Sequence, residues 1–80
     1  MINQGESVII DGQEYFCADT IELDGKQYLY IVTATDSLEF CFAEQSMLNN
    51  ELQIRIVGDH AEKDKILTAL QAKIEQKAHN

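Results

Sequence analysis

The sequence predicts an α+β domain: an antiparallel β-meander of about five strands, followed by one C-terminal amphipathic α-helix packed on the sheet. Three observations carry that expectation. VIIDGQEYFCADT (8–20) and IELDGKQYLYIVT (21–33) align without gaps, each with hydrophobic residues, then Asp-Gly, then two polar residues and a tyrosine. ELQIRIV (51–57) alternates apolar and polar residues at the period of a half-buried strand. Beyond Gly58, Ile66, Leu67, Leu70, Ile74 and Ala78 recur at helical spacing. All of this fits in 80 residues, so residues 1–80 form one domain, with the sheet over 6–57 and the helix over about 60–77.

The elements follow in chain order. Asp11-Gly12 and Asp24-Gly25 mark two successive hairpins, because a two-residue type I′ turn needs positive φ at both central positions. Calcium loops are a poor alternative, since neither run supplies alternating oxygen ligands and a closing glutamate. With two-residue turns Val8 faces Tyr15, Ile21 faces Tyr28 and Cys17 faces Val32. One sheet face then holds Val8, Ile10, Tyr15, Cys17, Ile21, Leu23, Tyr28, Tyr30 and Val32, and is the better core face. The other holds Ile9, Glu14, Phe16, Ala18, Thr20, Glu22, Gln27, Leu29 and Ile31. Asp19 falls on the core face, and a bulge near Ala18-Asp19 would re-aim it.

A turn at 35–37 leads to a fourth strand, LEFCF (38–42). Residues 45–50 read as a longer connection, with Met47 and Leu48 tucking into the core edge and Asn49-Asn50 suited to left-handed turn geometry. In the fifth strand Leu52, Ile54 and Ile56 point inward. Asp59 and Glu62 then read as a helix N-cap and capping-box pair, and Lys73, Lys77 and His79 suit the negative end of the helix dipole.

Composition narrows the function classes. The chain has 14 Asp+Glu against 6 Lys+Arg, a net charge of −8, which argues against direct nucleic-acid binding and against anionic membrane surfaces. The acidity is local: residues 1–58 hold ten acids and two bases, whereas 59–80 hold four of each. The N-terminus lacks the basic and apolar regions of a signal peptide, and no apolar stretch reaches a membrane span, so a cytoplasmic location is expected. Cys17 and Cys41 then read as free thiols.

No chemistry-bearing motif stands out. Cys17, Cys41, His60 and His79 number enough for zinc but lack the paired spacing of a zinc site. Cys41 lies between phenylalanines and Cys17 between Phe16 and Ala18, surroundings that raise a thiol pKa. There is no Gly-rich phosphate loop and no G-x-S-x-G. The expectation is a non-enzyme with no cofactor, no metal and no small-molecule substrate.

The run SVIIDGQEYFCADTIELDGKQYLYIVT, then LEFCF, then ELQIRIVGD leading into an amphipathic helix, resembles the YrzB-like family of small acidic bacterial proteins over about residues 7–76. That resemblance implies a bacterial cytoplasmic context and no assigned activity, so it transfers no site residues.

What remains is a surface. Five strands span roughly 19 Å at about 4.8 Å spacing, while a helix covers about 10–12 Å, so one helix cannot cover a sheet face. The surplus points to a protein-interaction module that binds a protein partner or itself as a homodimer, with Phe16, Leu29 and Ile31 on the less apolar face. The alternative is an acidic nucleic-acid mimic of phage or mobile-element type, anti-restriction or anti-CRISPR-like, with Glu14, Glu22, Glu39 and Glu51 lining a surface that occupies the basic groove of a nucleic-acid-binding protein.

Overall fold

A computed structural model describes residues 1–35 and 39–78, the side chains of 77 and 78 excepted. Strands β1 (Ser7–Ile10), β2 (Gln13–Leu23), β3 (Lys26–Thr33), β4 (Phe40–Leu48) and β5 (Glu51–Ile56) form one antiparallel sheet in the order β1-β2-β3-β4-β5. Helix α1 (His60–Ala78) follows and packs on that sheet. The expected turn at 35–37 and the expected strand start at Leu38 fall largely outside the described residues.

Both Asp-Gly pairs make the turns expected of them. Asp11, Gly12, Asp24 and Gly25 all have positive φ, and the register places Val8 opposite Tyr15 and Ile21 opposite Tyr28. A third hairpin of the same kind occurs at Asn49-Asn50, where φ is 51° and 65°. The supposed connection at 45–48 is therefore strand, and β4 runs unbroken to Leu48. Met47 and Leu48 do not reach the core edge but are 51% and 60% exposed.

One register expectation needs correcting. Cys17 faces Ile31, not Val32, because the β2–β3 ladder shifts between Cys17 and Asp19. Ala18 is the extra residue of a bulge, and one extra residue sends every side chain before it to the other face. Val8, Ile10, Tyr15 and Cys17 thus lie on the face of Leu29 and Ile31, opposite Ile21, Tyr28 and Tyr30. The bulge converts one expected core into two.

The first core lies under the helix and joins Ile21, Tyr28, Val57, Ile66 and Leu70. The second, on the opposite face, joins Cys17, Leu29, Ile31 and Ala43, with Ile2, Ile10, Tyr15, Cys41 and Ile54 packed around it. Its cover is the N-terminal segment. The Ile2 N–H donates to Gln45 Oε1 (2.7 Å) and Gln45 Nε2 donates back to the Ile2 carbonyl (2.9 Å). This paired bond satisfies a glutamine that is only 3% exposed. Leu29 and Ile31, expected on an interaction surface, are 0% exposed core residues instead.

The helix also differs in detail. Asp59 caps it, accepting from the Glu62 N–H at 2.9 Å, but Glu62 turns to the sheet rather than back to the cap. Of the expected stripe Ile66 and Leu70 are buried, while Leu67 and Ile74 are 44% and 55% exposed. In β5, Leu52 and Ile56 are exposed and only Ile54 is half-buried. Among the described residues no helix is long and apolar enough to cross a membrane.

Candidate interaction surface

Two polar clamps fix how the helix lies. At its start, Arg55 on β5 bonds Glu44 on β4 and Glu62 on the helix, the latter at 2.8 Å. Tyr28 on β3 donates to the same Glu62 carboxylate at 2.9 Å. Further along, Lys73 donates to Asp19 Oδ1 (2.8 Å) and to the Thr20 carbonyl (2.7 Å). Lys73 thus answers the acid that the bulge leaves on the helix face. Ion pairs this accessible contribute little net stability, so the apolar contacts of Ile66 and Leu70 hold the helix on. The clamps decide its direction, from β5 across to β2.

The clamp residues titrate accordingly. Hydrogen bonds from Arg55 and then Tyr28 hold the Glu62 carboxyl below the usual range. Burial, followed by the bond to Glu62, pushes the Tyr28 hydroxyl up to about 12. A lowered carboxylate pKa stabilises the fold above its unfolded value, about 4.3 for glutamate, and that contribution fades as pH falls through the folded value. The stability difference between wild type and Glu62→Gln is therefore expected to be greatest near neutral pH. It should vanish below the ordinary glutamate range, as read by denaturant titrations across pH. A difference that stayed constant with pH would show that Glu62 carries no charge-dependent role.

Because the helix runs along one diagonal, it leaves part of its sheet face bare. Between α1 and β4 lies a groove of about 310 Å³ lined by Tyr30, Phe40, Cys41, Phe42, Lys63 and Leu67, with Leu70 also contributing. Tyr30 stacks obliquely on Phe40 and Phe42, ring centres 5.7 and 5.5 Å apart. Cross-strand register puts Phe16, Val32 and Phe40 side by side on β2, β3 and β4. Phe40 is 61% exposed, Leu67 44% and Phe16 43%, so groove and row make one apolar surface. A second cleft of about 330 Å³ is walled by Tyr28, Arg55 and Glu62 themselves, whose polar groups are already engaged in the clamp.

The residues singled out from the sequence are scattered by the fold. Phe16 lies on the apolar surface just described. Glu14 precedes it by two residues on the same face, and Glu51 is on that face too but at β5, three strands away. Glu22 pairs with Gln27 on the opposite face. Glu39 lies just before β4, its N–H donating to Thr33 Oγ1 at 3.0 Å. The four carboxylates make no single row. Tyr30 and Phe42 are half-buried and pack against the helix-side core while lining the groove, whereas Leu67, part of the expected helical stripe, is exposed at its edge.

Burial pushes both thiols up; the hydrogen bond from Cys17 to the Asp19 carbonyl partly opposes this, and the Glu39 charge adds to it at Cys41. Both cysteines are free, and they lie on either side of Ile31 on neighbouring strands. No three metal-ligating side chains gather among the described residues. Comparison with known proteins finds no family model, no curated protein and no solved structure that matches the chain.

Proposed function

We propose that this protein is a small, acidic, non-enzymatic interaction module that grips a protein partner in the groove between its helix and β4. The observation that carries this reading is the exposure of Phe16, Phe40 and Leu67 beside one another on a folded face. Contiguous apolar surface of this kind is uncommon on monomeric proteins and marks binding sites. A groove of about 310 Å³ is at the lower limit for a small-molecule pocket, about 300 Å³, and accepts one or two apolar side chains of a partner. Lys63 at its edge supplies a donor for that partner's carbonyl or carboxylate. Membership of the YrzB-like family and a bacterial cytoplasmic setting belong to the same proposal.

The spread of Glu14, Glu22, Glu39 and Glu51 over the fold favours this reading over a nucleic-acid mimic, which needs its carboxylates in register along one surface. Phe40→Glu and Leu67→Glu change side chains that the fold does not bury. Each is expected to leave the melting temperature within a few degrees of wild type while abolishing capture of partners from host lysate. Retention of the same partners by both variants would rule the groove out.

A further inference from the structure

A second surface of the molecule is separate from the groove. The sheet ends at β5, and the helix that follows leads away from that edge towards β2, where Lys73 reaches Asp19. The Val57 N–H donates to the Phe42 carbonyl at 2.9 Å, which fixes the phase of the β4–β5 ladder. In an antiparallel ladder the residues that exchange bonds alternate along the strand. Glu51, Gln53, Arg55 and Val57 therefore turn their peptide groups to β4. Leu52, Ile54 and Ile56 turn theirs outward.

Proteins that keep such an edge unpaired blunt it with lysine, proline, a bulge or a very short strand. β1, at the other edge, has four residues. β5 has six, with no proline and no lysine, and its pairing with β4 runs without a break. Its one cation, Arg55, is folded back onto Glu44 and Glu62. On the face away from the helix, Met47, Leu52 and Ile56 are 51%, 38% and 40% exposed, and that band carries no charge.

We infer that β5 pairs antiparallel with β5 of a second copy of this chain, joining two sheets of five strands into one of ten. The strand's own charges argue for a second copy as the occupant. With Gln53 opposite itself on the two-fold axis, Leu52 and Ile54 of opposite copies exchange their outward peptide bonds. The same register sets Glu51 across from Arg55 of the second copy, twice, and the Arg55 side chain, 53% exposed beside its bonds to Glu44 and Glu62, can meet it. Those two pairs occupy positions without backbone bonds, where facing Cα atoms come within about 4.5 Å and side chains are closest. Each protomer carries −8, which opposes association in general, yet the two facing strands are neutral in sum. Met47, Leu52, Ile54 and Ile56 then form a continuous apolar band across the joint. This contact leaves the groove free and does not depend on it.

Sedimentation equilibrium of the full chain should give twice the 9.1 kDa protomer mass at micromolar concentration. Leu52→Pro removes an outward N–H without touching the β4 ladder, and Glu51→Arg sets like charges opposite each other. Both are expected to return the mass to 9.1 kDa with the circular dichroism of the wild type. Under mild oxidation Gln53→Cys should form a covalent dimer that the wild type, with its own two thiols, does not. A monomer at every concentration, a dimer indifferent to Leu52→Pro, or cross-linking through Ile54→Cys in place of Gln53→Cys would each overturn the pairing.

Discussion

Truncating Leu29 to alanine is expected to destabilise the protein by about 2–5 kcal/mol, the cost of emptying a fully buried leucine site. A chain of this length has about 4–12 kcal/mol of stability in total, so the variant should be partly unfolded at 37 °C. The loss arises on the sheet face that carries no helix. There Leu29 and Ile31 are 0% exposed beneath Ile2, Ile10 and Tyr15. Phe16→Ala, on a side chain 43% exposed, is the paired control and should cost under about 1 kcal/mol. Urea titrations of both variants decide the matter. If Phe16 proved the costlier of the two, the second core would not exist as described.

Ile66→Ala is expected to be comparably severe, again about 2–5 kcal/mol, lowering the melting temperature by about 10 °C or more. Ile66 is 0% exposed and is the helix residue at the centre of the contacts with Ile21, Tyr28 and Val57. The neighbouring clamps of Arg55 and Lys73 cannot compensate, since accessible ion pairs are too weak. Ile74→Ala, at 55% exposure, should shift the melting temperature by no more than a few degrees. Thermal melts followed by circular dichroism distinguish the two positions. Equal losses at Ile66 and Ile74 would mean that the helix presents a different face to the sheet.

Strand alternation and the two Asp-Gly turns were enough for the meander, because local conformational preference and period are written in consecutive residues. The bulge at Ala18 was legible as a place where the pattern failed, since Asp19 stood on an apolar face. Its consequence was not legible. Whether an extra residue sends the preceding half of a strand to one face or the other depends on which partners it finds across the ladder. That single residue moved Leu29 and Ile31 from a candidate surface to a core, and it placed Asp19 where Lys73 could meet it. The exposed apolar face was legible as a surplus of area, and of its residues only Phe16 was among those the surplus pointed to.

The sequence by itself determined the α+β class, the element order, the hairpin turns and the concentration of acidity in residues 1–58. Each of these follows from neighbours in the chain or from counting. Tertiary structure alone decided which apolar side chains are covered. Phe40 and Leu67 have the same apolar chemistry as Tyr28 and Ile66, and only the diagonal path of the helix leaves the first pair exposed. The physical reason is width. One helix anchored through Glu62 at one end and Lys73 at the other covers a strip of a wider sheet. The position of that strip is set by contacts between residues dozens of positions apart.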